Sequence, residues 1–555
     1  MAALPLVLTL PPMRGLRDVH GRPVTTPPPQ ASLSRRLGLA TLLMVSSVML
    51  SRVVGFVREA VIAAQQGATG NTDAYFAAFT LPDMLNYFLA GGTLSITFIP
   101  LFSRFIADGD EEGGWKLFST IATGVGALVF VAVLVAEVFA PELVPLLTPG
   151  FDTEQLALCV RLTRIVLPGM LCFTIGGLLQ ATLLSKERFG WVATIPILYN
   201  VMIILGGVLL GPLVGVEGFA WGALSGAFLG PLLVPLLATW KTLRYRPRFD
   251  FHASGFRDYI RLALPLMIGV SLISLDEWLL RYFGSYFDQG TVTHLNNARR
   301  IMLVPFAIIG QAAGQAALPF LSRLHNEGKQ AEMAETLTRS LASVVFFAVV
   351  ASTGLAVLAR PTVFAAYQRG QFSVTDANET AALLTVFCVG IAAWSAQTVA
   401  ARGYYARQNT LEPMLIGTVV VVLAAPLYAV LGHKFGAEGL ALASSLGITL
   451  NATAVLIAFR LRHAPIGLGS IAAALGKGLL CGLPGGLAAA ATLWALGDVL
   501  RIETTVGAMT RLLLGAAIFG GVAFGLAGLG GVREMEFLTA RLRKLAAKVR
   551  RRPSS

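Results

Sequence analysis

The sequence predicts an all-α polytopic membrane protein with about fourteen transmembrane helices, arranged as two parallel-repeat six-helix lobes plus two C-terminal helices. The chain of 555 residues is 55% hydrophobic and only 13% charged, whereas soluble domains contain about 25% charged residues. Apolar stretches of roughly 20 residues, the length that crosses a bilayer, recur along the chain. Short motifs of the first half return in the second half at a nearly constant offset. These observations favour helices, because a helix in lipid satisfies its own backbone polar groups.

Residues 1–35 precede the first predicted span. The apolar run Leu4–Leu10 is short and comes before the arginines, which reverses the order found in a signal peptide. Proline and arginine are frequent in the rest of this segment. We therefore expect a disordered cytoplasmic leader over residues 1–35.

The predicted spans begin after this leader, and each has the length and apolar character of a membrane-crossing helix. The first span contains Arg52, Arg58 and Glu59 and is marked only weakly by hydropathy. The predicted spans are 36–63, 72–104, 117–140, 156–184, 191–212, 216–240, 257–284, 292–322, 336–358, 378–403, 413–432, 437–460, 468–496 and 507–530.

The distribution of positive charge supports this order of spans. With the N-terminus inside, most of the 43 Lys and Arg residues fall in cytoplasmic segments, as the positive-inside rule requires. An error of one helix would scramble that alternation. We therefore expect a multi-pass protein of the bacterial inner (cytoplasmic) membrane with both termini in the cytoplasm. The same distribution argues against nucleic acid as the reason for the net charge of +13.

An internal repeat divides the chain. Ile99–Arg104 resembles Leu318–Arg323 at an offset of 219 residues, and Glu217–Ala220 resembles Glu438–Ala441 at an offset of 221. The offset covers six predicted spans, and an even number of spans leaves both copies in the same orientation. We predict a parallel repeat, which suits alternating access with a site between the two bundles.

The repeat and the spans together predict the domain organisation. An N-lobe over 36–240 holds the first six spans, and a C-lobe over 257–460 holds the next six. The last two spans occupy 468–530. A basic cytoplasmic tail follows over 533–555, with apolar residues at helical spacing. This tail is either an interfacial helix on anionic lipid or a solvated segment, and both interpretations stay open.

The sequence contains no sign of enzyme chemistry or of a metal site. Its cysteines are scattered through apolar stretches, and its six histidines have no ligand spacing. We find no P-loop and no catalytic constellation in the sequence. We therefore expect a transporter without a cofactor, and not an enzyme. Its energy source would be an ion gradient such as sodium, the membrane potential or the gradient of the substrate.

Several charged residues lie within predicted spans, where each costs about 2.5–3.5 kcal/mol even on the mild insertion scale. A guanidinium fork suits phosphate, so inward-facing arginines predict a net basic cavity and an anionic substrate such as a pyrophosphate. Structural pairing, for example of Arg52 with Glu59, or of Arg281 with Asp276 or Glu277, stays open for each arginine. The charged residues of the first, seventh and eighth spans are Arg52, Arg58, Glu59, Asp276, Glu277, Arg281, Arg299 and Arg300.

Five segments carry a resemblance to a known family. They are Ser51–Glu59, Thr72–Pro82, Arg369–Phe372, Tyr404–Thr410 and Gly439–Leu446. These segments resemble signatures of the MurJ (MviN) lipid II flippase family, which belongs to the MATE-like exporter superfamily. The similarity extends from about residue 36 to about residue 530.

The resemblance implies a fold and an activity. The fold would be two six-helix lobes plus a final helix pair that forms a groove for a lipid tail. The activity would be movement of lipid II, the undecaprenyl-pyrophosphate-linked peptidoglycan precursor, from the cytoplasmic to the periplasmic leaflet. Such an activity is needed for peptidoglycan synthesis, cell wall organisation and cell shape. Membrane lipids and cell-wall synthases would be its further partners.

The resemblance also implies the substrate-binding residues. Arg52, Arg58 and Arg300 match family arginines of the central cavity, and Asp73 matches a family aspartate. Arg299 is a further candidate. The expected role of this set is to hold the pyrophosphate and sugar head group.

The chain departs from the family pattern at several cavity positions. Asn86, Gly91 and Leu303 stand where charged residues are usual, and Arg299 stands where an aspartate is usual. These departures leave two alternatives open. One is a flippase for another polyprenyl-pyrophosphate glycan, and the other is a transport-dead scaffold that binds lipid-linked intermediates. A cation-exporting drug transporter would need acidic cavity residues, which the expected basic cavity lacks.

The resemblance also bears on ion binding. Some family members bind sodium between the seventh, eleventh and twelfth spans, and Asp276 matches one of their ligands. The eleventh span offers Ala424 and Tyr428 where polar ligands are expected. Asp276 is therefore the candidate ion-binding residue.

Overall fold

The computed structural model describes residues 30–90, 93–250, 252, 255–268, 272–497, 501–532 and 534. Among these residues the secondary structure is helical and contains no strand. The predicted leader up to residue 29, Gly91 and the predicted tail, apart from residue 534, lie outside the described residues. The prediction of disorder is wrong for residues 30–35 of the leader, which belong to the first helix.

The first half of the described chain contains eleven α-helices. Two π-helical turns, Asn86–Ala90 and Phe228–Leu233, interrupt it. The helices are α1 (Gln30–Gln66), α2 (Gly70–Ala78), α3 (Thr80–Leu85), α4 (Thr93–Ala107), α5 (Glu111–Val138), α6 (Ala140–Leu147), α7 (Thr153–Val166), α8 (Gly169–Ser185), α9 (Phe189–Val214), α10 (Glu217–Ala227) and α11 (Val234–Thr239).

The second half contains nine α-helices, and two further helices follow. A π-helical turn, Ala307–Gln311, and a 3-10 turn, Cys388–Gly390, lie within it. The helices are α12 (Phe256–Ile268), α13 (Leu272–Gly284), α14 (Thr291–Phe306), α15 (Ala312–Asn326), α16 (Gln330–Val357), α17 (Ala359–Tyr367), α18 (Val374–Phe387), α19 (Ile391–Ala406), α20 (Leu411–Arg462), α21 (Leu468–Ala495) and α22 (Thr505–Leu529).

The structure confirms the internal repeat at the level of helix boundaries. Helices α5 and α16 both have 28 residues, and their first residues, Glu111 and Gln330, lie 219 apart. Helices α4 and α15 both have 15 residues. Asp152 and Ser373 each form a capping box at the start of α7 and α18, two helices of 14 residues. A duplicated set of start signals therefore produces a duplicated set of helices.

Glycines also recur at equivalent turns of the two halves. Gly215 ends α9 with a φ of +62°, and Gly436 has a φ of +60° within α20. L-residues with side chains rarely adopt this left-handed conformation. Gly436 therefore divides α20 into two successive helices, which correspond to the predicted spans 413–432 and 437–460.

Ten helical segments of the described residues are long and apolar enough to cross a membrane, and some of them, such as Thr153–Ser185, consist of two successive helices. One of them is α20, which contains two predicted spans. The predicted spans 36–63, 72–104 and 257–284 coincide with α1, with α2 to α4, and with α12 and α13. The polytopic helical fold is confirmed, whereas the count of fourteen and the domain boundaries stay predictions.

Many large apolar side chains cover the outside of the helices. Leu213, Leu480, Leu487 and Trp494 are among the most exposed. An exposed apolar surface of this extent is unfavourable in water and suits lipid. Helix α21 packs on α16, and α22 packs on α21 and α17, so the final helix pair attaches to the second half.

Candidate functional site

A cavity of about 380 Å³ lies where the two halves meet. Its walls come from α1, α2, α3 and α9 of the first half and from α13 and α14 of the second half. Three arginines and three carboxylates line it, together with aromatic side chains. The charged lining residues are Arg58, Glu59, Asp83, Glu277, Arg281 and Arg300.

Arg58 and Glu59 form the part of the wall that α1 contributes. Arg58 Nη2 donates to Glu59 Oε1, and Arg58 Nη1 donates to Asn200 Oδ1 of α9 at 3.0 Å. Glu59 is almost fully buried. Arg58 Nε and Glu59 Oε2 have no hydrogen-bond partner among the described residues. A buried polar atom without a hydrogen bond destabilises the fold, so a polar ligand that bonds to these two atoms would be favoured here.

Arg300 is the most exposed arginine of the cavity. Its side chain is 43% exposed, and its Nε lies 3.6 Å from Glu59 Oε1. That separation is too long for a hydrogen bond. Glu59 therefore pairs with two arginines, closely with Arg58 and loosely with Arg300. The guanidinium of Arg300 faces the cavity and can donate hydrogen bonds to a phosphate without losing a strong contact with the protein.

Arg281 links the two halves across the cavity. It donates to Glu277 Oε1 on its own helix at 2.5 Å, and to Asp83 Oδ2 of α3 at 3.2 Å. Thr80 Oγ1 lies 3.3 Å from the same guanidinium nitrogen. Of the two pairings that the sequence left open for Arg281, the structure contains the one with Glu277.

Arg299 lies apart from the cavity wall, in a buried cluster with Asp276. The two side chains are 7% and 4% exposed. Arg299 Nε donates to Asp276 Oδ2 at 3.2 Å, and its Nη1 donates to Glu277 Oε2 at 3.1 Å. Tyr428 of α20 donates its hydroxyl to Asp276 Oδ1 at 2.5 Å. This cluster joins α13, α14 and α20.

Asp73 lies at the end of the molecule that the sequence predicts to be outer. Its carboxylate accepts from the backbone N–H groups of Gly290 at 2.6 Å and Thr293 at 2.8 Å. These groups belong to the first turn of α14, where unsatisfied N–H groups attract an acid. Thr293 Oγ1 also donates to Asp73. The structure thus places this predicted site residue in a contact between the halves, outside the cavity lining.

The contact around Asp73 extends along the same end of the molecule. The N–H of Gln371 donates to the Ala64 carbonyl at 2.8 Å. Gly370 has a φ of +60°, and a Cβ there would collide with the Ala64 carbonyl oxygen. We call Ala64, Asp73, Gly290, Thr293 and Gln371 the outer seal.

Arg52 does not belong to the cavity lining. It is exposed on α1, and its Nη2 donates to Gln311 Oε1 of the second half at 2.8 Å. Arg52 and Arg58 are six residues apart, so an ideal helix separates their directions by about 120°. Glu59 pairs with Arg58 and Arg300, and not with Arg52 as the sequence allowed.

The expected net basic cavity is wrong for the described lining, where arginines and carboxylates are equal in number. Sequence reasoning counted arginines within spans but missed Asp83, whose place inside an apolar span was the available signal. It also missed the aromatic wall. Trp278 packs edge-on against Tyr87, with ring centroids 5.9 Å apart. No spacing pattern in the sequence indicated that these rings would meet.

A second concave region is apolar. It has a volume of about 560 Å³ and lies between α16, α22 and the π-helical turn that follows α14. Ile308, Phe347, Val350, Phe519 and Phe524 line it. A groove of this composition suits a hydrocarbon chain.

Comparison with known proteins supplies the context for this geometry. The sequence model of the family described as "Lipid II flippase MurJ" matches residues 62–515. A Vibrio cholerae serotype O1 protein named "Probable lipid II flippase MurJ" is 28% identical over 436 residues, covering 76% of this chain and 82% of the relative. The "Lipid II flippase MurJ" of Burkholderia cenocepacia is 27% identical over 423 residues, covering 75% and 82%.

Solved structures share the fold. "Lipid II flippase MurJ, inward closed conformation" superposes with a TM-score of 0.73 at 20% identity, covering 88% of this chain and 99% of that one. An inward-facing multidrug resistance MATE family transporter superposes with a TM-score of 0.61 at 15% identity, covering 78% and 98%.

Proposed function

The chain belongs to the lipid II flippase MurJ family, and we propose that it moves lipid II from the cytoplasmic to the periplasmic leaflet of the bacterial inner membrane. It is a multi-pass membrane protein and a transporter, not an enzyme. With the positive-inside rule, both termini face the cytoplasm and the outer seal faces the periplasm.

One observation carries the proposal. Arg300 presents its guanidinium to a cavity between two repeated halves and has, among the described residues, only a loose partner there, Glu59 Oε1 at 3.6 Å. Arg58 of the first half lines the same cavity and approaches the same Glu59 oxygen. Two guanidinium groups from different halves can hold a pyrophosphate between them. The carboxylates beside them balance the charge while the cavity is empty of substrate.

The contacts between the halves support alternating access. The outer seal joins the halves at one end through backbone groups and Asp73. Deeper in, ion pairs of the described residues cross between the halves, Arg281 with Asp83 at 3.2 Å and Arg300 more loosely with Glu59 at 3.6 Å. The cavity of about 380 Å³ lies at the small end of the roughly 300–1,000 Å³ that drug-sized ligands occupy. A disaccharide-pentapeptide therefore requires the halves to separate, and the proposed cycle opens one end after the other.

The apolar groove between α16 and α22 gives the lipid tail a place outside the polar cavity. Its volume of about 560 Å³ covers part of a long polyprenyl chain, and the rest stays in lipid. Keeping the tail in an apolar environment avoids the cost of drawing it through the charged cavity. Only the head group then passes between the halves.

Depletion complementation tests the proposal. The gene, expressed in cells depleted of their own lipid II flippase, is expected to restore growth and rod shape. Failure to rescue, while the protein is present in the membrane, contradicts lipid II transport. The Arg339→Met variant is the matched control, because Arg339 is a 78% exposed surface residue and should rescue like the wild type.

A leaflet-accessibility assay separates the remaining alternatives. Purified protein in vesicles with labelled lipid II is expected to bring the label to the opposite leaflet. A scaffold would bind the lipid without moving it. A flippase for another glycan would leave lipid II in place but move a polyprenyl-pyrophosphate with a different sugar.

A further inference from the structure

We propose that the guanidinium of Arg299 takes the position that a coupling sodium ion would occupy beside Asp276, so that transport by this chain does not depend on sodium. The inference rests on the proposed function for its transport consequence and on the geometry of Asp276 for its chemistry. The residues present do not fit a sodium ion, and a built-in cation is in its place.

Both oxygens of the Asp276 carboxylate are engaged by side chains. Oδ2 accepts from Arg299 Nε at 3.2 Å, and Oδ1 accepts from the Tyr428 hydroxyl at 2.5 Å. Asp276 and Arg299 are 4% and 7% exposed. A buried carboxylate needs a positive partner close by, and Arg299 supplies it.

The space around Asp276 is small and offers few oxygen ligands to an ion. The adjoining cavity has a volume of about 10 Å³, roughly that of a single water probe. Of its other lining residues, Trp394, Val421, Ala424 and Ile448 offer no side-chain oxygen, and Ser444 adds one buried hydroxyl. A hard cation binds through several oxygen ligands. In transporters, unwound backbone supplies many of these oxygens, whereas Asp276 and Tyr428 both lie within described helices.

The Arg299 guanidinium also reaches the transport cavity indirectly. Its Nη1 donates to Glu277 Oε2, while Arg281 holds Glu277 Oε1. Arg281 in turn pairs with Asp83 of the first half at 3.2 Å. A continuous row of alternating charges thus runs from the proposed cation position to the contact between the halves. A sodium ion could be released and rebound during a cycle, but a tethered guanidinium stays in the row throughout.

The first experiment measures whether the wild-type protein binds sodium. A ligand of the native state raises the melting temperature as its concentration rises. Melting curves of the purified full chain in sodium, potassium and choline chloride at equal ionic strength are expected to coincide within about 1 °C. A saturable rise specific to sodium would overturn the inference. This result does not depend on whether the chain flips lipid II.

The second experiment measures transport. Flipping of labelled lipid II in vesicles is expected to keep its rate within two-fold when choline replaces sodium on both sides. A loss of ten-fold or more in choline contradicts the inference. If flipping is absent in every salt, the proposed function fails instead, and the melting curves still decide on sodium.

Two variants test the ion pair between Arg299 and Asp276. Arg299→Met leaves the Asp276 carboxylate without its cation and is expected to lower the melting temperature. Adding Asp276→Asn removes the unpaired charge, so the double variant D276N/R299M is expected to melt higher than R299M alone. If the two substitutions lower the melting temperature independently and additively, the pairing is contradicted. If R299M does not fold while the double variant does, the pairing of Arg299 with Asp276 is supported.

Discussion

Arg299 and Arg300 are neighbours in the sequence, yet they belong to two different regions of the molecule. Arg300 is 43% exposed in the cavity between the halves and has one loose partner in the part of the chain that the structure describes. Arg299 is 7% exposed and lies between Asp276 and Glu277. A step of one residue turns a helix by about 100°, which directs one guanidinium to the cavity and the other to the core of the second half.

This difference shows how an intramembrane arginine acquires its role. The cost of placing the charge is similar for both residues. The number of acidic partners within reach decides whether the guanidinium is available to a ligand or fixed in the structure. The cavity arginine shares Glu59 with Arg58, whereas the buried arginine has two carboxylates. The predictions below test that division.

The largest effect is expected for Arg299→Met. Removing one member of a buried ion pair leaves an uncompensated charge and costs about 3–5 kcal/mol of stability. The measurement is the free energy of unfolding in detergent, with the wild type in parallel. A loss below about 1 kcal/mol, the value of an exposed pair, would remove the distinction between the two arginines.

Arg300→Ala is expected to act on transport and not on stability. Loss of a charge-assisted hydrogen bond to the pyrophosphate costs about 1.5–3 kcal/mol, which corresponds to a fall of roughly 10- to 100-fold in the flipping rate. The melting temperature should stay close to that of the wild type. A destabilised Arg300→Ala protein would show instead that Arg300 holds the fold together.

Tyr428→Phe measures how much the Tyr428 hydroxyl contributes to the stability of the buried cluster. The variant removes the hydroxyl that donates to Asp276 Oδ1 while keeping the ring. A hydrogen bond to a charged group contributes about 1.5 kcal/mol or somewhat more. The expected loss is smaller than for Arg299→Met because the ion pair remains. An equal or larger loss of stability would show that Tyr428 stabilises the cluster more than Arg299 does.

The smallest effect is expected for Arg339→Met. Its pair with Glu335 lies on the surface of α16, where the two side chains are 78% and 62% exposed. Such pairs contribute about 0–0.5 kcal/mol. Unfolding and flipping should both match the wild type, and a clear change in either would show that the assays respond to any loss of charge.

The fold could be predicted from the sequence to a large extent. Apolar segments and positive charges identified the spans, and motifs such as Ile99–Arg104 and Leu318–Arg323 identified the repeat. Helices α4 and α15, which contain those motifs, have equal lengths in the structure. The first span was harder to recognise, because Arg52, Arg58 and Glu59 lower its hydropathy.

The site could be predicted only in part. The sequence placed Arg58 and Arg300 in spans that the structure brings to one cavity. It did not predict that Asp73 would accept hydrogen bonds from the first turn of α14, because that contact depends on how two distant helix ends meet. Nor could it separate Arg299 from Arg300, because the partners of Arg299 come from another helix. These roles stay predictions until the variants are measured.

Binding of lipid II to two variants separates the role of Arg300 from that of Arg299. The affinity of purified Arg300→Gln is compared with that of the double variant D276N/R299M, whose net charge equals that of the wild type. We expect Arg300→Gln to weaken binding by roughly 10- to 100-fold and the double variant to bind within about three-fold of the wild type. Equal loss in both proteins, or a greater loss in the double variant, would contradict the division between a ligand-binding arginine and a built-in cation.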